Sequence, residues 1–221
     1  MQWPTLIVDD FFTNPHAIVE LSKTFKYTRA TDNRWPGTRS PPIHKVNNDF
    51  FLWSTRKIMA LLYPINLDIV RWEASQHFQR VPFNIHGEEG WVHADTDYEF
   101  TSLIYLSHHP QSGTCLYEGK HWASPALEHK SEGYKEKTRY NKDLKDRKRM
   151  EKYKDKNNSR FRKKVELFSN FNRLVLFDGS DWHASRNSGA DKSERLTLIT
   201  FFKDITCKDI RYPIPQMRRI G

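Results

Sequence analysis

Residues 67–83, LDIVRWEASQHFQRVPF, decide the fold class of this chain. Apolar and polar residues alternate along them, and many positions are β-branched or aromatic, which is typical of strands with one buried face. Shorter runs of the same character follow, separated by turn-rich pieces: EFTSLIYLS, GTCLYEG, NRLVLFDGS, HASRN and ERLTLITFFKD. The sequence therefore predicts a mainly β domain from this stretch onward.

The part of the chain before these strands has a helical pattern. A short strand in PTLIVDDFF is followed by Asn14 and Pro15, a helix N-cap and a proline suited to the first helical position. NNDFFLWSTRKIMALLY, residues 47–63, predicts a second amphipathic helix that begins at Asn48 or Asp49. Because these helices precede many short strands, we expect them to pack on the outside of a barrel or jelly roll.

Composition restricts the class of protein further. The 221 residues can bury one substantial core, and 14% of them are aromatic, so a single packed domain is expected. The sequence has no run of about 18 apolar residues and no basic-then-apolar N-terminus. We therefore expect a soluble, cytoplasmic protein without a membrane partner. Cys115 and Cys207, the two cysteines, are expected to be reduced thiols.

The net charge of +9 arises in one segment. Residues 130–164 hold 16 Lys/Arg and 6 Asp/Glu, and the rest of the chain is close to neutral. The segment interrupts the strand pattern, which predicts an insertion in the β domain. Three interpretations stay open: a solvated face, a surface for an anionic partner such as nucleic acid, and a surface for an acidic protein. We expect that a short Gly/Ser linker in its place would leave ligand binding at any site formed by the strands intact.

A candidate metal site begins in GWVHADTDYEFTSLIYLS, residues 90–107. His93 and Asp95 are two residues apart at the head of a predicted strand, where their side chains would point to the same face. His183, at the start of a later strand, would supply a third ligand. Two histidines and one carboxylate that leave three coordination positions open form the facial triad of non-haem Fe(II) oxygenases. We predict that these three residues are metal ligands and catalytic.

A candidate anion site follows His183 at the head of the apolar run RLTLITFF, where Arg195 stands. An arginine inside a barrel is costly unless an anion meets it. A dicarboxylate cosubstrate that chelates the metal at one end and pairs with Arg195 at the other would satisfy both groups. Thr197, on the same strand face, and Tyr105 are expected to donate further hydrogen bonds to that carboxylate.

In this order the motifs resemble the Fe(II)- and 2-oxoglutarate-dependent oxygenases, and within them the prolyl 4-hydroxylase-like branch. The resemblance covers about residues 75–203 and is carried by His93-x-Asp95, SLIYLS, GTCLYE, NRLVLFDGSDWH with His183, and Arg195. It implies a double-stranded β-helix (jelly-roll, cupin-like) barrel buttressed by N-terminal helices. It also implies Fe(II) on the triad, 2-oxoglutarate as cosubstrate, O₂, and ascorbate as an added reductant. In that family the tyrosine at the place of Tyr105 binds the distal carboxylate of 2-oxoglutarate.

The function that the resemblance implies is hydroxylation of an unidentified substrate, such as a protein or peptide side chain. The whole chain would then be one oxygenase domain. Its parts would be helical support at 1–66, a β-helix core at 67–128 and 165–207, and the basic insertion at 129–164. The front end, with LIVDDFFTNPHAIVELS and WPGTRSP, also resembles a group of small uncharacterised oxygenase-like proteins of bacteria and phages.

Two departures from the family pattern leave the substrate open. The insertion is longer than the usual link between these strands. The nucleic-acid demethylase branch has a second arginine six residues after the first, and this chain has Phe201 there. An oxygenase that acts on nucleic acid through the insertion and a non-catalytic binding protein on the same barrel remain alternatives. In RWPGTRSPP, Trp35 and Arg39 are either a substrate lid facing the iron or part of a surface loop stiffened by prolines.

Overall fold

The computed structural model describes seven ranges of the chain: residues 3–29, 35–65, 67–82, 89–109, 111–119, 147–187 and 194–207. Residues 120–146, which include half of the predicted insertion, lie outside the described residues. Within the described ranges, no helix has the length and apolar character needed to cross a membrane.

The described chain contains three helices and nine strands. In chain order they are β1 (Leu6–Val8), α1 (Pro15–Lys23), β2 (Thr38–Arg39), α2 (Asn48–Leu62), β3 (Val70–Pro82), β4 (Phe100–Tyr105), β5 (Ser112–Gly119), α3 (Arg147–Asn158), β6 (Phe161–Phe168), β7 (Leu174–Asp178), β8 (Trp182–Asn187) and β9 (Glu194–Cys207). Short 3₁₀ turns at Ile43–Lys45 and Leu67–Ile69 precede α2 and β3.

The first two helices begin where the sequence predicts. Asn14 caps α1 with its side-chain oxygen, and Pro15 occupies the first turn, where its missing N–H costs nothing. α2 begins at Asn48, and its cap is the preceding Asn47, whose Oδ1 accepts a hydrogen bond from Phe50 N at 3.0 Å. In both helices a side-chain oxygen therefore satisfies a backbone donor that the helix leaves free.

The strands form two antiparallel sheets. The larger sheet has the order β1-β7-β4-β9-β3-β2, and the smaller one has the order β6-β5-β8. The longest pairing joins β3 to β9, from Val70 opposite Cys207 to Pro82 opposite Glu194. The predicted mainly β domain with flanking helices is confirmed. In the described residues the two sheets are arranged as in a sandwich, and they do not close into the predicted barrel.

The outer face of the larger sheet carries the helices. Ile58, Met59 and Leu62 of α2 are fully buried and belong to one core with Phe78 of β3 and Phe202 of β9. Burial of each such side chain contributes about 1.5–3 kcal/mol relative to exposure. The helices therefore stabilise the sheet from behind and leave its other face free to form a site.

The inner face of the larger sheet meets the smaller sheet. A second cluster joins Tyr105 of β4 and Val175 and Phe177 of β7 to Leu116 of β5 and Leu167 of β6. Since this cluster contains residues of both sheets, it marks the interior of the sandwich.

The third helix, α3, lies within the predicted insertion. Asn157 and Asn158 at its end bond to the backbone of Gly90 and Val92. The following strand, β6, begins at Phe161, which also falls inside the range 129–164. The end of the basic segment is thus part of the packed structure.

Candidate metal centre

A backbone bridge places the two candidate histidines side by side. His93 N donates to His183 O at 2.9 Å, and His183 N donates to His93 O at 2.7 Å. Residues that exchange both bonds in an antiparallel bridge carry their side chains on the same face. The segment of residues 89–95, here called the ligand segment, therefore continues the smaller sheet beyond β8.

Asp95 is brought to the histidines by a tight approach of two backbones. Its N donates to Gly179 O at 2.8 Å, in the turn between β7 and β8. A Cβ atom on Gly179 would lie 2.0 Å from Tyr98 O and 2.9 Å from Asp95 O. Glycine is therefore required there for steric reasons. The Asp178-Gly179 pair is a turn signal in the sequence, but local pattern does not show this steric role.

The three candidate ligands form a compact group. One ligand atom from each of His93, Asp95 and His183 lies within 4.8 Å of the other two. His93 Nε2 is 3.8 Å from Asp95 Oδ1, and His183 Nε2 is 3.5 Å from Asp95 Oδ2. Metal–nitrogen and metal–oxygen bonds are about 2.0–2.2 Å long, so these separations leave room for one ion between the three side chains.

Hydrogen bonds orient each of these side chains. His93 Nδ1 lies 2.9 Å from Trp91 O, and His183 Nδ1 lies 2.9 Å from Asp181 O. A carbonyl oxygen only accepts, so both Nδ1 atoms carry a proton, and the Nε2 atoms are the ones that could bind a metal. Thr101 donates to Asp95 Oδ2 at 3.0 Å. Metal-binding histidines are commonly oriented by such outer partners.

The candidate anion site lies on the inner face of the larger sheet. Arg195 pairs with Val81, and the next inward residue of its strand, Thr197, lies opposite both Gln79 and Tyr105. Directly opposite residues in antiparallel strands share a face. The structure therefore brings Arg195, Thr197 and Tyr105 to one surface.

Arg195 is buried with part of its hydrogen-bonding capacity unused. One terminal nitrogen donates to Gly113 O at 3.1 Å, while Nε has no partner among the described residues. Burial lowers the pKa of this guanidinium, and none of the ion pairs found in the described ranges involves it. A buried cation with a free donor fits a carboxylate ligand.

Tyr105 is held beside this arginine by a residue that the sequence reasoning missed. Its hydroxyl lies 2.8 Å from Thr114 Oγ1 of β5, across the sandwich. Burial raises the pKa of the Tyr105 hydroxyl, so it remains a protonated donor at neutral pH. Thr114 gave no signal in the sequence because its contact joins strands of different sheets.

Trp35 and Arg39, the candidate substrate residues, are also on this side of the larger sheet. The Arg39 guanidinium carbon lies 4.4 Å from the Trp35 ring centroid and 5.3 Å from that of Phe201. Its Nε donates to Gln79 Oε1 at 3.2 Å. Burial lowers the pKa of Arg39 to about 10, and the nearby Asp95 carboxylate opposes that effect. Arg39 is therefore charged at neutral pH and electrostatically coupled to the candidate metal site.

Three solved enzyme structures illustrate what the fold of this chain is similar to. HygX from Streptomyces hygroscopicus, crystallised with nickel and 2-oxoglutarate, has a TM-score of 0.58 and 13% identity over 90% of this chain and 82% of its own. The non-haem α-ketoglutarate-dependent epimerase SnoN has a TM-score of 0.55 and 9% identity over 96% and 89%. A Pseudomonas putida prolyl-4-hydroxylase has a TM-score of 0.50 and 12% identity over 90% and 91%. The chain therefore shares the fold of 2-oxoglutarate-dependent enzymes.

A sequence match shows which family the chain belongs to. Residues 1–202 match the family of unknown function DUF6445, and the chain belongs to it. No curated protein matches the chain.

Proposed function

We propose that this protein is an Fe(II)- and 2-oxoglutarate-dependent oxygenase. The observation that carries the proposal is the position of His93, Asp95 and His183, with ligand atoms within 4.8 Å of one another, in the same sandwich as the buried Arg195. A facial triad leaves coordination positions open for a chelating cosubstrate. The fold shared with HygX and SnoN, whose structures or names include 2-oxoglutarate, supports the same conclusion.

In this proposal each group of residues has a separate task. His93, Asp95 and His183 would hold Fe(II) through two imidazole nitrogens and a carboxylate. Arg195 binds the distal carboxylate of 2-oxoglutarate, and Tyr105 and Thr197 donate hydrogen bonds to it. When bound, iron and 2-oxoglutarate supply the oxidising chemistry with O₂. The chain itself supplies the side chains that would orient both.

The proposed reaction is hydroxylation, and a protein or peptide side chain remains the predicted substrate. The described end of the basic segment does not favour the nucleic-acid alternative. There, Lys154 is buried and pairs with Glu151, and Asn157 and Asn158 bond to the ligand segment. These contacts give that part of the segment a structural role.

The first prediction tests the metal ligands. We expect His183→Ala and Asp95→Ala to weaken Mn(II) binding about 100-fold or more, because loss of even an outer partner of a ligand costs about 10–100-fold. His108→Ala, at an exposed histidine, is the matched control and should bind as the wild type does. Titration calorimetry with Mn(II), and then with 2-oxoglutarate, measures both affinities.

Activity distinguishes an oxygenase from a binding protein on the same fold. With Fe(II), ascorbate and O₂, the wild type should convert 2-oxoglutarate slowly to succinate even without a substrate, and Asp95→Ala should not. Unchanged Mn(II) affinity in both ligand variants would exclude the metal centre. Metal binding without 2-oxoglutarate binding would leave a metalloprotein of another kind.

A further inference from the structure

A second arginine reaches the same inner face as Arg195. Arg39 of β2 lies opposite Gln79 of β3, which lies opposite Thr197 of β9, which in turn lies opposite Tyr105 of β4. Since opposite residues share a face, these four side chains form one row across the sheet. The row begins at Arg39 and ends at the proposed cosubstrate residue Tyr105.

The Arg39 head group points along the sheet toward the metal ligands. It contacts the ring of Phe201, which lies opposite Thr101, and Thr101 donates to Asp95 Oδ2. The Tyr98 ring also packs against the Phe201 ring, with ring centroids 4.7 Å apart. The guanidinium is thus close to the candidate metal centre and is bordered by aromatic rings.

The residues packed around Arg39 orient its guanidinium but leave most of its hydrogen-bond donors without an acceptor among the described residues. Trp35 and Phe201 contact the guanidinium, and Gln79 accepts from its Nε. In the described part of the chain, this is the only hydrogen bond of the guanidinium, and no carboxylate forms an ion pair with it. Because the Arg39 guanidinium has one acceptor, its remaining N–H groups are available for bidentate binding of an anion.

Trp35 adds a second unused donor at the same place. Its indole Nε1 is buried and has no acceptor among the described residues. A buried N–H without an acceptor costs free energy, and a bound ligand that carries an acceptor removes that cost. The indole and the guanidinium are in contact, so one acceptor group has access to donors of both.

We propose that the substrate carries a carboxylate, which binds to the terminal nitrogens of Arg39 and the indole N–H of Trp35. Tyr98 and Phe201 contact the adjoining carbon skeleton, and this places a nearby C–H bond at the metal. A carboxylate has the single negative charge that one guanidinium neutralises. The inference rests on the proposed function, because it assigns the substrate class of that same site.

Carboxylate probes and their neutral analogues test this proposal on the full-length protein. The protein is loaded with Mn(II) and saturated with 2-oxoglutarate, so that the pocket of Arg195 is filled. The probes are hippurate against hippuramide, and a blocked pentapeptide with a central glutamate against the same peptide with glutamine. Binding is measured by the broadening of probe NMR signals by Mn(II), with Zn(II)-loaded protein as the diamagnetic control. A preference for hippurate over hippuramide would indicate a small free acid as substrate. A preference for the glutamate peptide over the glutamine peptide would indicate an acidic peptide.

Variants test whether Arg39 is responsible for a preference for the acid probe over its amide. We expect the wild type to bind the acid of at least one pair about tenfold or more tightly than its amide, and Arg39→Gln to lose this preference. Arg80→Gln is the matched control. Arg80 is the next residue after Gln79 on β3, so its side chain lies on the outer face of the sheet, where it contacts Tyr27. Trp35→Phe keeps the ring but removes the N–H, and it should lower the preference by a few-fold. Circular dichroism verifies that each variant folds.

The outcomes separate this inference from the proposed function. If the wild type binds Mn(II) and 2-oxoglutarate but prefers neither acid, or if both Arg39→Gln and Trp35→Phe keep the wild-type preference, the substrate assignment is wrong and the proposed function stands. If the wild type binds neither Mn(II) nor 2-oxoglutarate, the proposed function is wrong and this inference fails with it.

Discussion

Single residues carry the chemistry of the proposed site, and Arg195 is the one whose surroundings indicate a ligand most directly. It is only 8% exposed, yet its Nε has no partner among the described residues. Proteins rarely bury a cation without a counter-charge. An anionic ligand would supply the missing counter-charge, and in the proposed function the neighbouring Tyr105 hydroxyl is a further donor to it.

Variants of Arg195 should therefore separate cosubstrate binding from metal binding. We expect Arg195→Met to weaken 2-oxoglutarate binding by about 3 kcal/mol or more, because charge-assisted hydrogen bonds contribute about 1.5–3 kcal/mol each. Arg195→Lys should cost less, since it keeps the charge and loses the bidentate geometry. Mn(II) affinity should survive both changes. The measurement is a 2-oxoglutarate titration of the Mn(II)-loaded variants, and unchanged affinity in Arg195→Met would remove 2-oxoglutarate from this site.

At the scale of elements, α3 supports the ligand segment from outside the sandwich. Asn158 Oδ1 accepts from Val92 N at 3.0 Å, and its Nδ2 donates to Gly90 O at 2.9 Å. Asn157 Nδ2 donates to Val92 O at 3.1 Å. Val92 is the residue immediately before His93, so the end of this helix fixes the backbone from which one candidate metal ligand projects.

This contact predicts an effect on stability and on metal binding. Asn158→Ala removes two hydrogen bonds to the ligand segment and a third from Asn157 Nδ2. Each is worth about 0.5–1.5 kcal/mol, so the free energy of unfolding should fall by about 1.5–4.5 kcal/mol. Mn(II) affinity should fall by about tenfold at most. Loss of a residue bonded to a ligand side chain costs about 10–100-fold, and Asn158 bonds only to the backbone next to His93. Asn48→Ala, at an exposed position of α2, is the control. Urea unfolding and Mn(II) titration provide the two measurements, and wild-type values in both would show that the contact is dispensable.

At the scale of the whole molecule, the basic segment divides into two parts. Residues 147–164 form α3 and the start of β6, and they contact the ligand segment and the smaller sheet. A linker in place of all of 130–164 would delete these contacts. The sequence-based expectation that such a replacement leaves the site intact is therefore restricted to residues 130–146.

Two replacements test this division. A short Gly/Ser linker for residues 130–146 should preserve Mn(II) and 2-oxoglutarate affinity, because the described contacts of the site lie in other parts of the chain. A linker for 130–164 should lower the temperature of unfolding and weaken Mn(II) binding, since it removes Asn157, Asn158 and part of β6. Thermal unfolding and calorimetry measure stability and Mn(II) affinity. Equal values for the two replacements would contradict the division of the segment into two parts.

The sequence alone was sufficient for features that depend on local chemistry. Alternation of apolar and polar residues predicts the strands, and Asn14-Pro15 predicts the start of α1, because both signals act between neighbouring residues. The spacing of His93 and Asp95 likewise predicts a shared strand face. The ordered motifs, ending at His183 and Arg195, extend this prediction to the members of the candidate site.

Only the tertiary structure decided which distant residues meet. The row from Arg39 to Tyr105 depends on the register of three strand pairings, and the support of the ligand segment by Asn158 joins residues 66 or more positions apart. A strand pattern states which face a side chain takes but not which strand lies beside it. For the same reason the arrangement of the strands as two sheets, and the steric need for Gly179, were not predictable from local pattern.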